Sequence, residues 1–303
     1  MSYLSLANGV ITNNLFENVN GFPLGDIAQS MMLHNNKGFI IVNNSQKVEV
    51  VNSNDFTSQH TIGGLQGPRY MVGKGNKGYI SDWFSNSIAV VELNSNTISK
   101  NISTGNGPEQ MAIVENVLFV TNVGGFGNDS TVSVINLLTE ANVGTIQGGI
   151  NPNSIQLDAN GKLWVLCGGS TGPDYIGGTA DDIAGSLWKI NPLTFAIEQE
   201  FTMSSSTHPV KLQINGNRTD LFYLSGSDGY SGKIMKISAN SSSFNAVPII
   251  NKDFYGLGID PVSGVIYGAF VPGFSQNGYV FRYTIAATLV DSMLEGRSKL
   301  FCI

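Results

Sequence analysis

Histidine, cysteine and carboxylate side chains carry most protein chemistry, and this chain uses the first two sparingly. Histidine occurs only at His34, His60 and His208. A lone imidazole cannot ligate a metal or run acid–base chemistry without partners. His34 and His60 fall in turns or outer strands, and His208 precedes Pro209, where capping a turn is its simplest role. Cys167 and Cys302 are too few for a disulfide framework or a zinc cluster. One bridge between them is arithmetically open; two buried thiols is the simpler state. The chain has no Gly-x-Ser-x-Gly elbow and no phosphate-cradling Gly-Lys-Thr loop. Gly124-Gly125-Phe126-Gly127 joins two strands and reads as a loop. Asp181 and Asp182, with Asp174 nearby, could hold a structural calcium ion, although their spacing fits no EF-hand; solvated loop charge is the competing reading. No catalytic residue and no metal ligand is assigned.

Residues suited to binding are more regular. Aromatic side chains recur at the tips of the longer connections: Trp83 and Phe84, Phe126, Tyr175, Tyr230 and Phe274. Such side chains give large contact area at low entropy cost, with a polar handle on Tyr and Trp. A second series precedes the opening strand of successive repeats: Gln29, Arg69-Tyr70, Glu109-Gln110, Asn153-Ser154, Val210-Lys211 and Tyr255. One Arg, one Glu, one Lys and several amides and hydroxyls suit a polar organic ligand with hydrogen-bonding arms. Each aromatic tip could instead fold back onto its own sheet, and the polar series could hold ordered water. The candidate ligand-binding set is Arg69, Tyr70, Trp83, Phe84, Gln110, Phe126, Asn153, Tyr175, Lys211, Tyr230, Tyr255 and Phe274.

The elements that must position these residues repeat along the chain. A turn pair opens each copy: Gly67-Pro68, Gly107-Pro108, Asn151-Pro152 and His208-Pro209, with Ala28 and Phe254 at the proline position of two weaker copies. Positions 28, 68, 108, 152, 209 and 254 are spaced by 40, 40, 44, 57 and 45 residues. That period suits a propeller blade or a helical array. Within each copy a strand centred on an aromatic (Phe39, Tyr79, Phe119, Trp164, Phe222, Tyr267) is followed by a third apolar strand, such as Ile88-Ala89-Val90-Val91. A less regular fourth strand closes the copy, as at Thr97 to Ile102. Short runs rich in Val, Ile and aromatics, bounded by Gly, Asn and Pro, are strands. The spacing therefore predicts an all-β fold of four-stranded antiparallel blades, a β-propeller in one domain over residues 1–303. Six copies are clear. Residues 3 to 16, ending in a strand from Val10 to Phe16, and residues 296 to 303 predict a seventh blade built from both termini; six blades is the alternative. Strand direction alternates within a blade, so the long two-to-three loops should open on the edge where the first strand begins. The longest, Cys167 to Ser186, exceeds what a tight blade needs.

Composition excludes other classes. Charged residues are only 13% against 42% hydrophobic, which leaves ample core and rules out disorder. A balance of −6 leaves no basic stripe for phosphates, so nucleic acid is not an expected partner. The apolar runs are short, so no transmembrane segment is expected.

The Pro-x-x-apolar opening followed by Gly78-Tyr79-Ile80 or Leu163-Trp164-Val165, then Val132-Ser133-Val134-Ile135-Asn136, resembles the YncE-like (YVTN-type) β-propeller repeat. The segment from Val10 through Asn20-Gly21-Phe22-Pro23-Leu24-Gly25-Asp26 to Met31 is similar to the start of a Bacteroidetes surface-lipoprotein branch, the DUF5074 group. The resemblance implies a seven-bladed, extracytoplasmic, lipid-anchored protein. Its export signal and lipidated cysteine would precede this sequence. Some members of that branch are cobalamin-capturing propellers seated on an outer-membrane transporter. The expected function is non-enzymatic capture of a polar small molecule, a corrinoid being one candidate, or of a surface partner, on the long-loop face. The alternative is a propeller lyase or lactonase using His208 with Glu109 or Asp228 and a divalent ion in a central channel, which rests on fold analogy.

Overall fold

A computed structural model describes residues 2–5, 9–244, 247–273 and 276–294. Among them, a hairpin of β1 (Tyr3–Leu4) and β2 (Ile11–Thr12) is followed by a short helix α1 (Leu15–Asn20). Six four-stranded antiparallel sheets then follow in chain order. The first is β3 (Ala28–His34), β4 (Lys37–Val42), β5 (Lys47–Asn52) and β6 (Ser58–Ile62); the second is β7 (Pro68–Lys74), β8 (Lys77–Asp82), β9 (Ser87–Glu92) and β10 (Thr97–Ser103). The third is β11 (Pro108–Val114), β12 (Val117–Asn122), β13 (Thr131–Asn136) and β14 (Ala141–Gln147). The fourth is β15 (Pro152–Leu157), β16 (Leu163–Cys167), β17 (Ser186–Ile190) and β18 (Ile197–Thr202). The fifth is β19 (Val210–Ile214), β20 (Asp220–Ser225), β21 (Gly232–Ser238) and β22 (Ile250–Phe254). The sixth is β23 (Gly256–Ile259), β24 (Ile266–Phe270), β25 (Tyr279–Tyr283) and β26 (Leu289–Leu294).

The fold is thus of the propeller type, with six blades among the described residues. The chain divides into two compact units, one holding Met1–Gly127 and Ser133–Gly144, the other Asn128–Val132 and Thr145–Leu294. In the first unit, Phe39, Ile41, Val50, Ile80 and Val91 form one core between neighbouring blades, and Tyr79, Val90, Leu118 and Val120 another. In the second, Trp164, Leu187, Leu212 and Tyr223 pack together, as do Phe222, Ile234, Phe254 and Ile266.

Burial explains the sequence pattern. After its first residue, β4 is buried on both faces, and so is the whole of β16. Such strands read as continuous apolar runs centred on an aromatic. The outer strands β6 and β10 bury little, so they read as polar and irregular. Turns between first and second strands use residues that tolerate positive φ, Asn35 and Asn36 at 47° and 60° being the clearest pair.

The seventh blade is corrected to a hairpin. Strands β1 and β2 pair only with each other among the described residues. The expected strand from Val10 to Phe16 stops at Thr12, because Asn14 turns into the left-handed region (φ 54°) and starts α1. Phe16 and Leu24 are then buried against Ile40, Val42 and Val51 of the first blade. Residues 296 to 303, and with them Cys302, lie outside the described residues, as does Phe274.

Candidate binding surfaces on the loop edges of the blades

In each of the first five blades the opening strand carries a bulge. Pairing to the second strand slips between Ala28 and Ser30, Pro68 and Met71, Pro108 and Met111, Pro152 and Ser154, and Val210 and Gln213. The residues in the gaps are Gln29, Arg69-Tyr70, Glu109-Gln110, Asn153 and Lys211-Leu212. They include most of the expected polar series; Ser154 and Val210 are paired in the ladder, Leu212 was not expected, and Tyr255 adjoins the sixth blade's unbroken pairing. A bulge re-aims side chains out of the pleat and recurs beside functional sites. Pro68 pairs with Asp82 and Lys74 with Lys77, so bulge and two-to-three loop share one edge of the blade.

In the first unit the bulge residues bind one another. Arg69 donates from Nε and Nη2 to the two Glu109 oxygens, both at 2.8 Å, and from Nη1 to Gln29 Oε1 at 2.9 Å. The Trp83 indole N–H donates to Glu109 Oε2 at 2.7 Å, and the Arg69 guanidinium lies 4.2 Å from the Trp83 ring centroid. The bidentate pair ties the second blade to the third and the Gln29 bond ties in the first, a fork of donors that arginine supplies. Trp83 is therefore held against the neighbouring blade through Glu109. Phe84 and Phe126 do project: they stack at 5.9 Å and are 54% and 84% exposed. The Phe84 ring covers Gly67, where a Cβ would come within 2.7 Å of it. Tyr70 turns inward against the core of the second and third blades. Gln110 lies on the third bulge, its carbonyl accepting from the Thr121 hydroxyl at 3.0 Å.

In the second unit, Asn153 donates to the Pro209 carbonyl at 2.9 Å, joining the fourth blade to the fifth. Lys211 has φ +63°, which a side-chain-bearing residue adopts at a cost, and its ammonium has no hydrogen bond or ion pair among the described residues. The Tyr255 N–H donates to the Ala269 carbonyl at 2.8 Å. Tyr175 and Tyr230 project, 81% and 69% exposed.

The long loop between β16 and β17 is latched by His208, whose simplest expected role was to cap a turn. His208 is buried; Nδ1 meets the Gly168 carbonyl and Nε2 meets Asp182 Oδ2, each at 3.0 Å. The same oxygen accepts the Gly178 N–H at 2.7 Å. His208 and this amide hold the Asp182 carboxyl below the usual carboxylate range. Asp181 is taken by the Thr179 hydroxyl and Asp174 by the Ile176 N–H. The Thr179 hydroxyl also reaches Asp182 Oδ1 at 3.3 Å, and no group of three or more His, Cys, Asp or Glu placed to hold a metal ion gathers among the described residues. Asp228 accepts from the Tyr230 and Ser231 N–H groups of its own turn. Cys167 is fully buried, and burial pushes its thiol up to about 12.

Known proteins agree with this architecture. The family model described as "Domain of unknown function (DUF5074)" matches residues 1–288. Among solved structures, a quinonprotein alcohol dehydrogenase-like protein from Bacteroides thetaiotaomicron is similar at TM-score 0.73 and 12% identity, covering 98% of this chain and 73% of that one. Hydrazine synthase from Kuenenia stuttgartiensis is similar at TM-score 0.66 and 14% identity, over 85% of this chain and 75% of that one. The computationally designed Ika8 protein matches at TM-score 0.58 and 11% identity, over 90% and 89%. At these identities the likeness is one of fold. No curated protein matches the chain.

Proposed function

The chain belongs to the DUF5074 family, and from that premise we propose a non-enzymatic binding protein that captures a polar small molecule, a corrinoid being one candidate, or a surface partner. The observation that carries this reading is the bulge repeated in five blades, which aims polar side chains at the edge where the exposed aromatic tips emerge. Within that series Lys211 is the charge left for a ligand, since Arg69 is neutralised by Glu109. Tyr175 and Tyr230, in the same unit as Lys211, supply contact area for apolar portions. Of the residues named for the enzymatic alternative, Glu109 bonds Arg69, His208 bonds Asp182 and Asp228 bonds Ser231.

The YncE-like repeat and the likeness to surface lipoproteins support an extracytoplasmic location, anchored beside an outer-membrane transporter. Protease treatment of intact cells expressing the full gene tests location; a protected protein would argue against it. Calorimetric titration with cyanocobalamin, on the wild type and on Lys211→Ala and Tyr230→Ala, tests the ligand. Each variant should weaken binding by about tenfold, as truncation of an interface anchor does. Cyanocobalamin binding indifferent to both changes would remove this edge as the site, and no binding would remove the corrinoid.

A further inference from the structure

Lys252, in the outer strand β22, places its ammonium 3.8 Å from the Phe270 ring centroid and 4.7 Å from that of Phe281. The two rings are near perpendicular, at 86°, with centroids 6.2 Å apart. Tyr279 forms a third wall, 6.5 Å from Phe270 and 6.3 Å from Phe281. Register builds the cleft: Phe270 faces Tyr279 across β24 and β25, and Phe281 follows Tyr279 by two residues on the same face. Its floor depends on Gly268, which pairs with Phe281; a Cβ there would come within 2.5 Å of the Phe254 ring. Phe254 in turn supports Phe281 at 5.9 Å.

Among the described residues Lys252 makes no ion pair and no hydrogen bond, so the aromatic faces alone meet its charge. A cation between ring faces is the arrangement that recognises organic ammonium groups. A primary ammonium is a poor guest, because its three donors lose water and find no acceptor. A quaternary ammonium has no donors to satisfy and carries the same charge. Tyr279 is 38% exposed, so the cleft opens to solvent, and a net charge of −6 favours cationic ligands.

We propose that Phe270, Tyr279 and Phe281 form a binding site for a quaternary ammonium group, in which Lys252 is the resident cation that a ligand displaces. Displacement returns the lysine ammonium to water and seats a charge that needs no hydrogen bonds. The site is independent of the bulge residues.

Tetramethylammonium and choline, titrated at constant ionic strength into wild type, Lys252→Ala, Lys252→Ala/Phe270→Leu and Lys252→Ala/Tyr279→Leu, test it by calorimetry. Removing the resident lysine should tighten binding by about tenfold, and each ring-to-leucine change should reverse that gain. Melting curves show whether the Phe270 variant is folded; the more exposed Tyr279 provides the second variant. The uncharged isostere 3,3-dimethyl-1-butanol should not bind. Binding of the butanol equal to choline, or Lys252→Ala binding no better than wild type, would overturn the proposal. Phosphatidylcholine vesicles distinguish the source. Choline binding in solution assigns a small molecule, capture by vesicles alone assigns a lipid headgroup, and neither overturns the site.

Discussion

Arg69 and Glu109 show how a low-charge chain spends its charges. Both are mostly buried, and each is met by more than one partner, which is the condition under which a buried pair is tolerated. Replacing Glu109 with Ala strands a guanidinium and should cost about 3 kcal/mol. Glu109→Gln, which still accepts from Trp83, should cost less, and urea midpoints of the two variants check the order. Gln29, Arg69 and Glu109 stand one repeat of 40 residues apart, at the same place in successive blades. Opposite charges at the same phase of adjacent repeats were therefore a readable signal of contact. Cys167 makes a different point. Its thiol, pushed up to about 12 by burial, is almost wholly protonated at neutral pH. Iodoacetamide at pH 8 should leave Cys167 unmodified in the native protein and alkylate it in urea, as peptide mapping would show.

At the level of elements, strands were legible and their irregularities were not. The aromatic-centred second strands and Val-Ile third strands follow from burial on both faces, a property each segment displays alone. A bulge is a relation between two strands, and no local residue announces it. The helix Leu15–Asn20 was missed because the apolar pairs Val10-Ile11 and Leu15-Phe16 were joined into one strand across Asn13-Asn14, where the left-handed Asn14 ends the strand and starts the helix. His208 and Asp182 meet across 26 residues of chain, beyond any local pattern. That latch has a pH signature. A carboxyl held below its ordinary value contributes stability above the unfolded value of 3.8 and loses it as pH falls through the folded one. Hydrogen exchange of residues 170–184 should therefore quicken as pH drops below about 4 relative to the intrinsic rate, and Asp182→Asn should flatten that dependence. Packing gives a second test. A Cβ on Gly148 would fall 1.4 Å from the Trp188 ring, while one on Gly144 meets nothing within 4 Å. Gly148→Ala should cost about 2 kcal/mol or more, and Gly144→Ala close to nothing, in thermal melts.

At the scale of the molecule, the repeat count was legible because each copy carries its own opening turn; the fate of the chain's beginning was not. A two-residue strand pair beside an apolar segment fits either a seventh blade or a surface hairpin, and isolated hairpins of this size are marginal. The structure separates them by where apolar surface goes. Tyr3 and Val10 in the hairpin region are about half exposed, whereas Phe16 is 1% and Leu24 7% exposed in the first blade's core. The first blade is therefore sealed by the segment after the hairpin. Deleting residues 2–12 should shift the urea midpoint by the equivalent of less than about 1 kcal/mol, because little apolar area leaves water-shielded packing. Phe16→Ala should cost about 3–5 kcal/mol, the range for emptying a buried aromatic site. If the deletion proved as costly as Phe16→Ala, the hairpin would belong to a larger sheet and the six-blade count would fall. If both proved cheap, the helix would not be the seal, and the burial of Phe16 would have to be offset by easy collapse of the first blade around the gap.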